Sequence, residues 1–178
     1  MNTFSGKMEL SEIRKIKETA KIGLKEEFSF PKSVPILALV HIADEATRHF
    51  ILEGLSAIGV ANLAISDSLD VTGRRYAGVK PVITEGEMYA FDVLIYDGES
   101  EGIDIVKYMK AGVVPVTSDR TVFSGVFKDF NPMKFEGNGF YFTSNNPYCI
   151  FEKVISYLEN IKFPEDRRIL LKHVIETF

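Results

Sequence analysis

Carboxylates and glycines crowd the stretch GESEG at 98–102, where Glu99 and Glu101 alternate with Gly98, Ser100 and Gly102. Two carboxylates so close could work as an acid/base pair. They also suit a helix N-terminus, where negative side chains favour the dipole. On the residues alone the second reading outweighs the first. What must position them is the segment around them. FDVLIYD (91–97) is apolar and β-branched enough for a buried strand, a helical segment follows over 102–110, and GVVPVTS (112–118) reads as strand again. Strand, loop, helix and strand in so few residues make a βαβ unit. Ligands of such units bind in the crevice beyond the carboxyl ends of the strands. Glu99 and Glu101 stand at that end.

The rest of the chain repeats the alternation. Residues 8–27 are charged and helical, with a broken apolar stripe of Leu10, Ile13 and Ile16, and FPKSVP then breaks the helix. ILALV (36–40) is a strand. DEATRHFILEGLSAIG (44–59) is a helix with Ile51, Leu55 and Ile58 on one face and Gly59 at its C-cap. VANLAIS (60–66) is a second strand, VKPVI (79–83) a short third, and TEGEMYA a helical turn. The helix over 102–110 turns Ile105, Val106 and Met109 inward. Residues 118–136 are irregular, with a short helix expected near 121–127, and GFYF (139–142) is the last strand. Asn146 and Pro147 form an N-cap and N1 pair for a helix, and Pro164 opens another. The pattern predicts an α/β, three-layer Rossmann-like domain, with a mainly parallel sheet of about six strands. Residues 1–33 form an appended helix and linker, and 34–178 the Rossmann-like domain.

Composition excludes several classes of function. The chain has 178 residues, 46% hydrophobic and 26% charged, with a net charge of −4 and no long basic run. A nucleic-acid backbone is therefore not an expected partner. No run is long enough to span a bilayer, and the start MNTFSGKMEL lacks the apolar core of a signal peptide. The single Cys149 allows neither an internal disulfide nor a CxxC metal cluster. These features together predict a cytoplasmic protein. The histidines His41, His49 and His173 show no zinc spacing, so neither metal nor cofactor is expected. His41 reads as a hydrogen-bonded structural residue, Arg74 and Arg75 as a solvated loop, Tyr148 as packing at a helix start, and Cys149 as packing.

At 99–116 the sequence ESEGIDIVKYMKAGVVPV resembles a segment of GT-B glycosyltransferases, above all glycogen and starch synthases, that runs E-P-x-G-[LI]-x4-A-M-x-x-G-x-x-P-V. Glu99, Gly102, Met109, Gly112, Pro115 and Val116 fall in register without a gap. GNGFYFTSNNPYCIFEKVISYL (137–158) resembles the same family's G-T-G-F-x-F run and following helix, and YAFDVLIYDGESEG its A-D-[VIL]-x-[LIV]-x-P-S-x-x-E-x-x-G run. The N-terminal helix and strand 36–40 resemble the interdomain helix and first C-terminal strand of glycogen synthases. The resemblance covers nearly this whole chain but half of a GT-B enzyme, the half that binds a nucleotide-diphosphate sugar.

That resemblance makes Glu99 a sugar-contact residue, the one catalytic candidate, and Gly102 a substrate-side position. It also exposes departures. The family's arginine and lysine after the first strand, which hold the diphosphate, fall on Ile42 and Thr47. Its T-G-G-L phosphate turn falls on Arg120, Thr121, Val122 and Phe123, and its second glutamate on Lys107. Each charge-assisted bond lost is worth roughly 1.5–3 kcal/mol. Arg48 and Arg120 are the nearest cations that could substitute. The expectation is a glycogen synthase-related, nucleotide-sugar-binding half-domain, inactive alone, that takes an ADP- or UDP-sugar weakly. The alternatives are a non-catalytic binding or regulatory module, half of a two-chain retaining glycosyltransferase whose acceptor domain is a partner chain, and an unrelated Rossmann-like small-molecule binder.

Overall fold

In the computed structural model, which describes residues 9–120 and 125–178, the apolar runs become six parallel strands. They are β1 (Leu37–His41), β2 (Ala61–Ile65), β3 (Ala77–Lys80), β4 (Val93–Tyr96), β5 (Val114–Ser118) and β6 (Phe140–Phe142). The sheet order is β3-β2-β1-β4-β5-β6, the doubly wound Rossmann arrangement. Strands β1, β4 and β5 are buried almost end to end, as parallel strands covered on both faces must be.

Among the described residues six helices accompany the sheet: α1 (Leu10–Glu27), α2 (Glu45–Ala57), α3 (Glu85–Met88), α4 (Ile105–Lys110), α5 (Pro147–Asn160) and α6 (Pro164–Glu176). Helix α2 leads from β1 to β2 and α4 from β4 to β5, in opposite directions along the sheet. Right-handed crossovers therefore put them on opposite faces. Helix α5 packs against α2, and α6 against α4. Asp44 caps α2 by accepting from the Thr47 N–H at 2.8 Å, and Asn146 caps α5 with Pro147 at N1.

Helix α1 is fastened by lysines more than by its broken apolar stripe, of which Ile13 is buried and Ile16 exposed. Lys17, Lys21 and Lys25 recur every four residues and so share one face. Lys17 Nζ donates to the carbonyls of Phe91 (2.5 Å) and Gly112 (3.0 Å). Lys21 donates to the Asp92 carboxylate (2.6 Å) and the Pro35 carbonyl, and Lys25 to the carbonyls of Lys32 and Val34. Several of these acceptors stand just before β1, β4 and β5, so α1 is tied to the amino ends of the strands.

Three expectations need correction, and a fourth falls mostly outside the described residues. The third strand is 77–80, not 79–83; beyond Lys80, Val82 is exposed while Ile83 turns inward. The helix expected from 102 begins at Ile105, because Gly102 holds φ +90° and Asp104 takes the N-cap. Ile58 lies past the end of α2 and is 47% exposed. Of the short helix expected near 121–127, residues 121–124 lie outside the described residues and 125–127 are not helical.

Candidate functional site

The loop after β4 is built around one buried carboxylate. Asp97, 3% exposed, ends the strand run, and Gly98 then turns the chain at φ +82°, a conformation that favours glycine. Asp97 Oδ1 accepts from the N–H groups of Glu99 (3.0 Å) and Ser100 (2.9 Å), and the Ser100 hydroxyl reaches both carboxylate oxygens. Its Oδ2 accepts from the Ala43 N–H at 2.5 Å, across the junction of β1 and β4. In this sheet order that junction is the topological switch point. The protein's own carboxylate thus occupies a backbone donor in the crevice where a Rossmann domain receives a phosphate.

Two more bonds hold the loop. Tyr96 donates its hydroxyl to the Ser100 carbonyl (2.9 Å), and His41 donates from Nε2 to the Glu101 carbonyl (2.8 Å). His41 is the structural residue expected, and its ring stacks on Tyr96. Partial burial pushes the Tyr96 hydroxyl's pKa up, with Asp97 adding to the effect. Glu101 is no helix-end charge: α4 starts four residues later, and Glu101 enters the loop through its carbonyl.

A polar cleft of about 280 Å³ opens above β4, β5 and β6, lined by Asp97, Gly98, Glu99, Ser118, Arg120 and residues 143–145. Glu99 is exposed, and its Oε1 accepts from Asn145 Nδ2 at 2.8 Å, joining the loop after β4 to the loop after β6. The Ser118 hydroxyl accepts from the Arg120 N–H. Two carboxylates face one guanidinium here. The remaining lining is hydroxyl, amide and backbone, which can trade hydrogen bonds with a polyhydroxylated ligand but offers a diphosphate little positive charge.

The other family positions stand elsewhere. Ile42 is 2% exposed and belongs to the core, and only its carbonyl is used, accepting from Arg48. Thr47 is buried in the first turn of α2, and its N–H goes to Asp44. A hydrogen bond from the Thr47 side chain, and then this backbone one, keep the Asp44 carboxyl below its ordinary pKa. Arg48 is committed to the Ile42 carbonyl and does not line the cleft; Arg120 does. Gly102 is exposed at φ +90°, and an added Cβ would meet nothing within 4 Å. Its left-handed backbone serves the turn, and no helix or strand packs against it. Thr121 and Val122 lie outside the described residues. Sequence reasoning missed Asp97 and Asn145. A carboxylate closing an apolar strand run just before a glycine was the available signal for Asp97. Asn145 had none, since its neighbour Asn146 absorbs the helix-cap pattern.

The sheet order and the cleft at its carboxyl end define a Rossmann-like domain with the fold of the C-terminal half of GT-B glycosyltransferases. The structure resembles the catalytic domain of starch synthase IV from Arabidopsis thaliana bound to ADP and acarbose, with a TM-score of 0.71 at 13% identity. The match covers 95% of this chain and 40% of that one, so the chain spans about two-fifths of the neighbour's length. At this identity the likeness is one of fold. No protein-family model and no curated protein sequence matches the chain. No helix among the described residues is long and apolar enough to cross a membrane. Nor do those residues bring three or more His, Cys, Asp or Glu together as a metal site.

Proposed function

We propose that this is a glycogen synthase-related domain that holds the sugar of an ADP- or UDP-sugar in the cleft above β4–β6, and that alone it does not transfer that sugar. The observation that carries the reading is the exposed Glu99 carboxylate beside Asn145, on a loop that Asp97 fixes at the carboxyl end of the sheet. Glu99 contacts sugar hydroxyls, and Asn145 orients it. Binding is weak, with a dissociation constant of about millimolar, worth only ~4 kcal/mol. The reason is electrostatic: Ile42 and Thr47 carry no charge, and the Ala43 and Thr47 N–H groups already have carboxylate partners. Transfer needs an acceptor held opposite the donor, and such positioning supplies roughly 7–11 kcal/mol of a barrier. The described residues form one Rossmann-like sheet, which supplies the donor side of such an arrangement.

Calorimetric titration with ADP-glucose and UDP-glucose tests the reading. Weak saturable binding that Glu99→Ala abolishes supports it, and tight binding indifferent to Glu99→Ala overturns it. A second reading draws on the exposure of Glu99 and the rim at 143–146, which another chain could cover. In it the protein is half of a two-chain retaining glycosyltransferase. Transfer of labelled glucose to glycogen by purified protein, above a Glu99→Ala control, would defeat the claim of inactivity alone.

A further inference from the structure

The opposite end of the sheet carries a second cavity, of about 450 Å³, between α1 and the start of α6. Six cationic side chains line it, Arg14, Lys17, Lys21, Lys162, Arg167 and Arg168, against the two carboxylates Glu18 and Asp92. Pairing accounts for part of the excess. Lys21 is bound to Asp92, Lys162 to Glu159 and Arg168 to Glu165, each at 2.6 Å. Arg14 and Arg167 make no side-chain hydrogen bond or ion pair among the described residues. Lys17 is 8% exposed and gives two of its three N–H donors to carbonyls; no acceptor among the described residues takes the third. The carboxylate that acts on it, Asp92, is already shared between Lys21 and the Leu37 N–H.

A buried ammonium without its own counter-ion is costly, and burial lowers the Lys17 pKa to about 8, with Lys21 and Arg167 adding to the effect and Asp92 opposing it. An anion in the cavity would relieve that cost while meeting two guanidinium groups, the side chain best suited to phosphate oxygens. The space is larger than inorganic phosphate needs. It adjoins an apolar groove, lined by Ile36, Ile58, Ile155 and Leu158, which shares Asp92, Ile161, Lys162 and Arg167 with it. We infer that this cavity binds a small organic phosphomonoester, its phosphate held by Arg14, Lys17 and Arg167 and its apolar body lying in the adjoining groove. The site is independent of the cleft at Glu99 and lies at the far end of the sheet from it.

The probes are inorganic phosphate and phenyl phosphate, titrated into the full chain at constant ionic strength and followed by NMR. Saturable shifts at Lys17 and around Arg167 are expected with both, and phenyl phosphate should bind about three- to tenfold more tightly. Arg14→Ala with Arg167→Ala removes two exposed side chains and should weaken both by at least about tenfold, whereas Arg120→Ala in the other cleft should change neither. The absence of saturable shifts at Lys17, or affinity unchanged in the double variant, would overturn the proposal. Equal affinity for the two probes would overturn the assignment of an apolar body.

Discussion

The two ends of this sheet handle charge in opposite ways. At the carboxyl end the backbone donors nearest the switch point are already answered from within: Asp97 takes the N–H of Ala43, and Asp44 that of Thr47. At the amino end, Arg14, Arg167 and a third N–H of Lys17 have no answer among the described residues. A Rossmann-like sheet is expected to receive phosphate at its carboxyl end. On our proposals that end of this chain serves hydroxyls and the other an anion. Fold therefore predicts where a crevice lies, while the side chains that fill it decide what it takes.

The comparison breaks most severely if the carboxyl end can accept cations. Ile42→Arg with Thr47→Lys puts two charges at buried positions where the nearby carboxylates, Asp97 and Asp44, are already engaged with backbone N–H groups, and should cost roughly 3–5 kcal/mol in urea denaturation. A variant of undiminished stability that binds ADP more tightly would show the crevice open to phosphate. Next in size is Asp97→Ala. It strips the acceptor from the N–H groups of Ala43, Glu99 and Ser100, and should cost about 3 kcal/mol by the same measurement. A loss under ~1 kcal/mol would mean that water replaces the carboxylate easily.

The amino end is sharpened by pH. Lys17, faced by Asp92, Lys21 and Arg167, has a folded pKa of about 8, below the ordinary 10.5. The unfolded chain therefore binds more protons there between those values, and the folded state gains stability as pH rises through that window. Relative to Lys17→Met, which cannot titrate, wild type should gain about 2 kcal/mol between roughly pH 7.5 and pH 10. Phosphate should erase part of that gain by stabilising the charged form. A flat difference would place the ammonium in contact with water. Smallest is the Glu99–Asn145 pair. It is exposed, so a double-mutant cycle should give a coupling of about 0.5–1 kcal/mol, and zero coupling would remove Asn145 from any orienting role.

Much of the frame is legible in the sequence because buried strands and capped helices are local events. LALVH, VLIY and VPVTS announce themselves by their predominantly apolar or β-branched character, and Asn146-Pro147 and Pro164 mark the starts of α5 and α6. Glu99 is legible as a residue at the crevice end for the same reason: it follows such a strand. The misreadings occur where tertiary contacts or backbone geometry decide. Residues 79–83 contain enough apolar side chains for a strand, yet pairing with β2 ends at Lys80. Gly102 and Asp104 delay α4 through a left-handed turn and a cap that periodicity does not register. The lysines of α1 register in the sequence only as helical charge, because nothing local says that Lys17 and Lys21 will find carbonyls and a carboxylate roughly seventy or more residues away. The site's organising carboxylate, Asp97, was legible only as the end of a strand, since its partners include Ala43 from another crossover.

The most direct test of the difference between the two ends is one pair of NMR titrations on the intact chain, with glucose as the neutral polyhydroxylated probe and phenyl phosphate as the anion. Glucose should shift Glu99, Asn145 and their neighbours and leave Lys17 and Arg167 unmoved; phenyl phosphate should do the reverse, and neither should weaken the other. Phenyl phosphate settling at Arg120 and Glu99, or glucose shifting no residue of the carboxyl-end cleft, would contradict the division of labour between the two ends.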